Sequence, residues 1–249
     1  MPSDRMALVT GAAARIGAVI AESLHQRGCS VLVHCNSNQE GAEKLASRLN
    51  GTRPDSAFVV SADLSSSSGV DSLLEQTLQR CKSLDVLVNN ASRFYATAVG
   101  ETQLYQWDDL INSNLRGPYF LCQGLLAPLK AARGSIVNIV DVHSERPMPG
   151  YAAYCISKAG LAMMTMALAR ELGPAVRVNG VSPGAILWPE RGQEFSGPGS
   201  EAEEILKRTA LGRLGEPSDI ASAVSYLAFD APYVTGHIMA VDGGRSLNI

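Results

Sequence analysis

The feature that most constrains the fold is a regular alternation of short apolar runs with longer segments of helical periodicity. Residues 6–10 form the first apolar run, and after a glycine turn the apolar residues Ile16, Val19, Ile20 and Leu24 share one helix face. The apolar runs are continuous, which is typical of strands buried on both faces. This order predicts an α/β fold: a doubly wound, Rossmann-type parallel sheet with helices on both faces. Further strands are predicted at 30–34, 56–61, 85–89, 135–140, 176–181 and 237–241, with helices at 40–49, 70–81, 151–172, 201–209 and 217–228.

The organisation along the chain indicates one domain, at 1–249. A chain of 249 residues is long enough for one α/β domain with a substantial core, and it contains no linker, internal repeat or low-complexity tract. The segment at about 185–200 is rich in glycine, proline and charge and is long for a connection. Long connections are often functional, so we expect a substrate lid there.

Composition argues against several classes of function. With 21 basic and 24 acidic residues the formal net charge is -3, which gives no basis for a nucleic-acid or anionic-membrane partner. No apolar run reaches the roughly eighteen residues of a membrane span, and residues 1–5 lack the apolar core of a signal peptide. The five cysteines are scattered and form no metal-ligand cluster, so we predict no metal, free thiols and a cytoplasmic location.

The turn after the first strand is a candidate phosphate site. Gly11 and Gly17 are spaced so that the backbone can approach a diphosphate at the start of the next helix, where N–H groups and the helix dipole favour anions. Arg15 stands near the position where a middle glycine is usual in such turns. Taken alone, the turn fits a simple helix cap as well as a dinucleotide site.

The end of the second predicted strand bears on which dinucleotide binds. A carboxylate there would hydrogen-bond the 2′-hydroxyl of the adenosine ribose and repel a 2′-phosphate. This chain has His34, Asn36 and Ser37, with no carboxylate and no Arg or Lys between 34 and 38. We therefore expect NADPH in preference to NADH, held by polar donors instead of a cation.

A candidate proton relay lies between residues 141 and 158. Tyr154 and Lys158 are four residues apart, so on a helix they share a face, one turn apart. Asp141 follows the predicted strand at 135–140 and can face this pair. A carboxylate, a phenol and an amine in this arrangement indicate general acid–base chemistry.

These features together resemble the short-chain dehydrogenase/reductase family. Its marks occur in the family's order and spacing over nearly the whole chain. They are Thr10-Gly11 with Gly17, Asn89-Asn90-Ala91 after the fourth strand, Asn114, Tyr154 with Lys158, and Pro183-Gly184 after the sixth strand.

The resemblance implies roles for these residues in hydride transfer with a nicotinamide cofactor. Tyr154 would donate the proton, and Lys158 would hold the nicotinamide ribose and lower the pKa of Tyr154, since a nearby cation favours the phenolate. Asn114 would order a water that connects Lys158 to solvent. Cofactor contacts are implied for Gly11, Arg15, Ile16, Gly17, His34, Asn36, Ser37, Asp63, Leu64, Asn89, Ala91, Ser92, Tyr154, Lys158, Pro183 and Gly184.

Asp141 departs from the family pattern, and this departure narrows the range of substrate classes. Thirteen residues before the tyrosine, most of the family has a serine that hydrogen-bonds a substrate carbonyl. Two like charges about 4 Å apart repel by roughly 4 kcal/mol at an effective dielectric of about 20, so a carboxylate opposes a nascent alkoxide unless Asp141 is protonated. A ring nitrogen that takes a proton after hydride addition suits a carboxylate–phenol pair better. The alternative that Asp141 is structural, with His143 or Ser144 in the serine's part, stays open.

The substitution at 141 resembles the pteridine reductase branch of the family, and the ending 241–247 is similar as well. The resemblance implies that Phe94 stacks on the pterin, that Ser92 contacts ligand or cofactor phosphate, and that Arg15 reaches phosphate and pterin. Two alternatives remain, because Phe94 could anchor a buried loop and Arg15 could contact phosphate alone. The branch usually has a basic residue near Asn36-Ser37, and this chain does not.

The sequence therefore predicts an NADPH-dependent enzyme that reduces a pteridine of the dihydropterin, biopterin or folate type. A short-chain carbonyl reductase such as a 3-oxoacyl thioester reductase is the alternative enzyme, and a non-catalytic NADPH-binding sensor is a further one. Family members usually form tetramers through two long central helices, and the apolar face at 161–168 is compatible with a homotetramer. The predicted catalytic residues are Asp141, Tyr154, Lys158 and Asn114, and the predicted substrate contacts are Arg15, Ser92, Phe94, Asp141 and Tyr154.

Overall fold

The computed structural model describes residues 5–186 and 201–247, and within them the strands form one parallel sheet in the order β3-β2-β1-β4-β5-β6-β7. Every neighbouring pair in this sheet runs parallel. The observed strands begin and end within two residues of the predicted ones, which confirms the doubly wound α/β fold. They are β1 (Met6–Val9), β2 (Ser30–Cys35), β3 (Ala57–Ser61), β4 (Val86–Asn89), β5 (Ser135–Ile139), β6 (Arg177–Pro183) and β7 (Ile238–Val241).

Consecutive residues of a central strand pack into different cores, which explains the continuous apolar runs. Leu8 and Val9 are both fully buried, but they belong to separate clusters on opposite sides of the sheet. The helices that cover the two faces are α1 (Arg15–Gln26), α2 (Gln39–Thr52), α3 (Ser67–Arg80), α4 (Leu104–Ile111), α5 (Gly117–Gly124), α6 (Leu126–Ala132), α7 (Ala152–Leu172), α8 (Glu201–Lys207) and α9 (Pro217–Ser225).

The position of the site follows from the strand order. The chain runs outward from β1 through β2 to β3, then crosses back to start the other half of the sheet at β4. The connections that leave β1 and β4 therefore diverge, and a crevice opens beyond the carboxyl ends of these two strands. Parallel sheets of this kind bind ligands in such a crevice.

Helix α7 is the longest in the described part of the chain and carries the predicted relay. By length and composition alone it could cross a membrane, and 61% of its most apolar window is buried inside the protein. A core helix of a globular protein has the same properties, so α7 is not evidence for a membrane span. The predicted lid at 185–200 lies almost wholly outside the described residues.

Candidate active site

The turn between β1 and α1 is closed so tightly that two of its positions require glycine. Gly11 has a φ of +64°, in the left-handed region that favours glycine. A Cβ on Gly17 would collide with the carbonyl oxygen of Gly11 and with the side chain of Asn90. That side chain donates to the carbonyl oxygens of Thr10 and Gly11, at 2.8 and 3.1 Å. The start of α1 is thereby held against the loop that follows β4.

His34 braces this turn from behind. Its Nδ1 accepts a hydrogen bond from the Gly11 backbone N–H at 3.0 Å, and its Nε2 lies 3.1 Å from the carbonyl oxygen of Ala62. Together these contacts require a neutral ring protonated at Nε2. Burial lowers the pKa of His34 to about 4, against smaller raising effects of Ala62 and Asp63. The prediction made His34 a cofactor contact; the structure places it at the cavity wall with both ring nitrogens bonded to protein.

A cavity of about 420 Å³ occupies the crevice, and most of the predicted cofactor residues line it. Its volume is within the range of small-molecule sites, about 300–1,000 Å³. Arg15 has a left-handed backbone, with a φ of +53°, and its side chain is exposed at this cavity. The predicted residues that line the cavity are Gly11, Arg15, Ile16, Gly17, His34, Asn36, Ser37, Asp63, Leu64, Ala91 and Ser92.

Five predicted cofactor residues lie outside this cavity lining: the relay residues Tyr154 and Lys158, and Asn89, Pro183 and Gly184. The Asn89 side chain is buried in the core, where its Nδ2 donates to Asn138 Oδ1 at 2.8 Å, so it bridges β4 and β5. Its neighbour Asn90 lines the cavity instead. Pro183 and Gly184 end β6 next to β7, where the Gly184 N–H donates to the Val241 carbonyl oxygen at 3.1 Å. The Asn89 side chain is therefore committed to the bond between two strands, and the predicted contact of this stretch with the cofactor falls to Asn90 and Ala91, which line the cavity.

The structure brings the predicted relay residues together at the start of α7. The Tyr154 hydroxyl donates to Asp141 Oδ2 at 2.7 Å, and the other oxygen, Oδ1, accepts from the His143 backbone N–H at 2.8 Å. Lys158 Nζ donates to the Ile139 carbonyl oxygen at 3.0 Å and lies 5.8 Å from the centre of the Tyr154 ring. Tyr154 and Lys158 are both buried, whereas Asp141 is partly exposed.

The electrostatics of this group differ from the prediction. Burial, together with the Asp141 carboxylate, raises the pKa of Tyr154 well above its usual value. Burial lowers the pKa of Lys158 to about 8, and Asp141 partly opposes that shift. The net shift of the Tyr154 pKa is thus upward, against the lowering that we expected from Lys158, because the carboxylate is bonded to the phenol and the amine is bonded to Ile139. A phenol that keeps its proton is available as a proton donor.

Asn114 connects the loop after β4 to α7. It lies in a π-helical turn, Asn112–Arg116. Its Oδ1 accepts from the Arg93 N–H at 2.8 Å, and its Nδ2 donates to the Arg93 carbonyl oxygen and to Ser157 Oγ, both at 3.0 Å. Both Nδ2 protons are used in these bonds, whereas Oδ1 has a second lone pair that could accept from the predicted water. Ser157, fully buried on α7, was not singled out from the sequence.

Phe94 stands at the substrate side of the site. Its side chain is 54% exposed, so the alternative of a buried loop anchor is wrong. The ring stacks on Tyr151, with centroids 4.8 Å apart and planes at 15°, and meets Tyr154 edge-on, also at 4.8 Å. Tyr151, the N-cap residue just before α7, was missed from the sequence.

The alternative residues for the relay are turned elsewhere. His143 Nδ1 lies 2.8 Å from the Arg146 carbonyl oxygen, so its ring is bonded within its own loop. The Tyr154 hydroxyl is bonded to Asp141 and not to Ser144. Across residues 5–186 and 201–247, no group of His, Cys, Asp and Glu side chains is arranged to hold a metal.

Comparisons with known proteins agree with this geometry. Residues 11–246 match a family model described as enoyl-(acyl carrier protein) reductase. The chain is 36% identical to pteridine reductase 1 of Leishmania tarentolae, over 99% of this chain and 98% of that protein. It is 34% identical to the 3-oxoacyl-(acyl-carrier-protein) reductase FabG of Staphylococcus aureus, over 98% and 99%. A blue fluorescent protein from a metagenomic library, solved in complex with NADPH, superposes with a TM-score of 0.87 at 32% identity, over 97% of both chains.

Proposed function

Because the chain belongs to the short-chain dehydrogenase/reductase family and is an NADPH-dependent oxidoreductase, we propose that its substrate is a pteridine of the dihydropterin, biopterin or folate type. The observation that carries this proposal is the 2.7 Å hydrogen bond from the Tyr154 hydroxyl to Asp141. The resemblance to pteridine reductase 1 of Leishmania tarentolae supports the same substrate class.

The residues of the crevice fit the cofactor. The glycine turn presents the start of α1 to the cavity, where backbone N–H groups favour a diphosphate, and Arg15 adds a cation. Asn36 and Ser37 line the same cavity, where the adenosine ribose would be recognised, and so do Asp63 and Leu64. When bound, NADPH supplies the hydride, and the chain's own residues handle the proton.

The chemistry of Asp141 favours a ring nitrogen over a ketone as the group that takes the proton. Both of its oxygens accept hydrogen bonds, from Tyr154 and from the His143 N–H, which are donors that stabilise a carboxylate. An alkoxide beside this carboxylate would be opposed by roughly 4 kcal/mol, an upper-end figure for a partly solvated site. A ring nitrogen acquires no negative charge when it takes a proton.

The proton path in this proposal starts at Tyr154. A ring nitrogen placed against Asp141 would take its proton in two transfers, from Tyr154 Oη to Asp141 Oδ2 and from Asp141 to the nitrogen. The phenolate left behind would face Lys158, and with a pKa of about 8 this amine is mostly cationic at neutral pH. This phenolate and the Asp141 carboxylate repel each other, and the Lys158 cation offsets that repulsion.

The aromatic residues supply the position of the ring. Phe94 and Tyr151 form a stacked pair beside Tyr154, and more than half of the Phe94 side chain is exposed for contact with a flat ligand. Ser92 and Arg15 line the adjoining part of the cavity and can bind polar edges. A planar heteroaromatic ring held in this way keeps its reacting carbon parallel to the hydride donor.

The second candidate is reduction of a 3-oxoacyl thioester, favoured by the 34% identity to the FabG reductase of Staphylococcus aureus. Asp141 counts against it, because the product of the hydride step is an alkoxide at the position of this carboxylate. A non-catalytic sensor is not supported by a buried phenol that keeps its proton and has a hydrogen-bonded carboxylate partner.

A substrate panel tests the proposal. The purified protein and NADPH are mixed with dihydrobiopterin, folate or an acetoacetyl thioester, and loss of the reduced-nicotinamide absorbance is followed. We expect turnover of at least one pteridine, and a drop in its kcat/KM of about 100-fold or more in Asp141→Ser, with NADPH affinity within about twofold. Ser144→Ala is the matched control and should keep full activity. Turnover of the thioester alone, or a fully active Asp141→Ser on pteridines, would rule out this function.

We also propose that the protein acts as a single domain, as a homotetramer in the cytoplasm, with 185–200 as a substrate lid. The exposed side chains Tyr119, Phe120, Met163 and Met166 on α5 and α7 support assembly through these helices. Such side chains are costly to leave in water. Light scattering of wild type and of Met163→Glu tests the assembly. We expect wild type to be a tetramer and the glutamate variant to dissociate, because a charge is buried in the interface.

A further inference from the structure

One carboxylate, Asp109 on α4, bonds both chain neighbours of Phe94. Asp109 Oδ1 forms an ion pair with Arg93 Nη1 at 2.5 Å. Asp109 Oδ2 accepts a hydrogen bond from the Tyr95 hydroxyl at 3.0 Å. The Asp109 side chain is only 19% exposed, so these contacts are partly shielded from solvent. Phe94 thus lies between two residues that are fixed to the same group.

The aromatic ring itself has little else to hold it. Phe94 is more than half exposed, and its ring contacts are Tyr151 and Tyr154. Thr97 beyond it is buried, and the chain is open only after that residue, with Val99 89% exposed and no atom within 4 Å of a Cβ placed on Gly100. Packing therefore holds the Phe94 ring weakly, and the bonds made by its chain neighbours supply much of its order.

We propose that Asp109 is a positioning residue that sets the pose of Phe94 and thereby the affinity for a flat heteroaromatic substrate. It acts through Arg93 and Tyr95 and touches neither substrate nor cofactor. This inference rests on the proposed function, because a pteridine is the ring that Phe94 would receive.

Arg93 and Tyr95, the two residues bonded to Asp109, differ in their other contacts. Arg93 Nη2 also approaches Asp63 Oδ1, at 3.4 Å, and Asp63 lines the cofactor cavity. The Tyr95 hydroxyl also lies 3.1 Å from the Gln106 carbonyl oxygen of α4, so its one proton is shared between two acceptors. Arg93 therefore connects the cofactor side to the substrate side, whereas Tyr95 serves the substrate side alone.

Kinetics of matched variants test the proposal. Asp109→Asn removes the charge and should raise the KM for dihydrobiopterin about tenfold, with kcat within about threefold and NADPH affinity within about twofold. Asp109→Glu should recover part of the loss. Tyr95→Phe should raise the same KM by less, and Arg93→Ser should weaken both pteridine and NADPH. Asp108→Asn, a change at the exposed neighbouring carboxylate, is the control and should leave all values unchanged.

Two outcomes would overturn the inference. A KM in Asp109→Asn within about twofold of wild type would show that the carboxylate does not set the pose of Phe94. A joint loss of NADPH affinity, kcat and melting temperature in this variant would show a general structural role.

If wild type reduces no pteridine, the proposed function fails, and hydrogen exchange of the NADPH-bound protein decides the positioning role separately. Asp109→Asn should then speed exchange of the amides at 92–96 about tenfold, while those of β1 stay unchanged. Unchanged exchange at 92–96 would reject it.

Discussion

The nucleotide end and the substrate end of the crevice are built in different ways. At the nucleotide end, backbone contacts dominate: Gly11 and Gly17 allow close approach, and His34 bonds the Gly11 N–H. At the substrate end, side chains meet side chains, as in Asp141 with Tyr154 and Phe94 with Tyr151. A site built from backbone groups accepts few substitutions, and here it would bind the phosphates of the cofactor. A side-chain site can be changed one residue at a time, which explains how one cofactor class serves different substrates.

The two ends also differ in their buried titratable groups. Burial keeps His34 neutral at the nucleotide end, with its pKa lowered to about 4. At the substrate end burial and Asp141 keep the Tyr154 phenol protonated, while Lys158, with a pKa of about 8, titrates just above neutral pH. Low pH should therefore destabilise the nucleotide end through His34, and high pH should lower activity at the substrate end through Lys158.

The largest effect is expected from Tyr154→Phe, which removes the proton donor and keeps the ring. We expect kcat to fall by about 10²- to 10⁴-fold, the usual contribution of general acid catalysis. NADPH affinity should stay within about twofold, since the nucleotide cavity is not lined by this residue. Single-turnover kinetics and NADPH titration measure the two separately. If NADPH affinity fell as much as kcat, the nucleotide end and the substrate end would not be functionally separate.

The next effect is acid destabilisation through His34. Its pKa of about 4 in the folded chain lies below the unfolded value of about 6.5, so the unfolded chain binds the proton first as pH falls. The free energy of unfolding should decrease by about 2 kcal/mol between about pH 7 and about pH 5 from this residue alone, and by up to about 3 kcal/mol near pH 4.

Urea unfolding at the two pH values measures the change, with His34→Gln and the exposed His237→Gln compared. His34→Gln should lose this part of the pH dependence, and His237→Gln should keep it. The same dependence in wild type and His34→Gln would show that the turn is not braced by a neutral imidazole.

The smallest effect concerns Lys158. Because burial lowers its pKa to about 8, the cation is lost above that pH in the free enzyme. The value of kcat/KM, which reports the free enzyme, should fall about tenfold per pH unit above about pH 8. Lys158→Arg, which stays cationic, should be slower but lack this limb. A limb near pH 8 that persists in Lys158→Arg would assign it to another group.

The sheet and the long helices could be predicted because their signals are local. Strand β5 and helix α7 were placed to within a residue at each end, since a continuous apolar run and a long helical segment each depend on neighbours in sequence. The spacing of Tyr154 and Lys158 on α7 is equally local. Asp141 could be predicted as a partner of Tyr154, but the distance between their side chains could not be read from the sequence.

What the sequence by itself determined is the class: a doubly wound α/β chain with a glycine turn, a Tyr/Lys pair and a carboxylate where a serine is usual. What only the tertiary structure decided is how those groups act on one another. The inward turn of Asn89, the neutral state of His34 and the raised pKa of Tyr154 all depend on burial. Burial and hydrogen-bond partners come from strands and helices distant in sequence, so no pattern of neighbouring residues contains them.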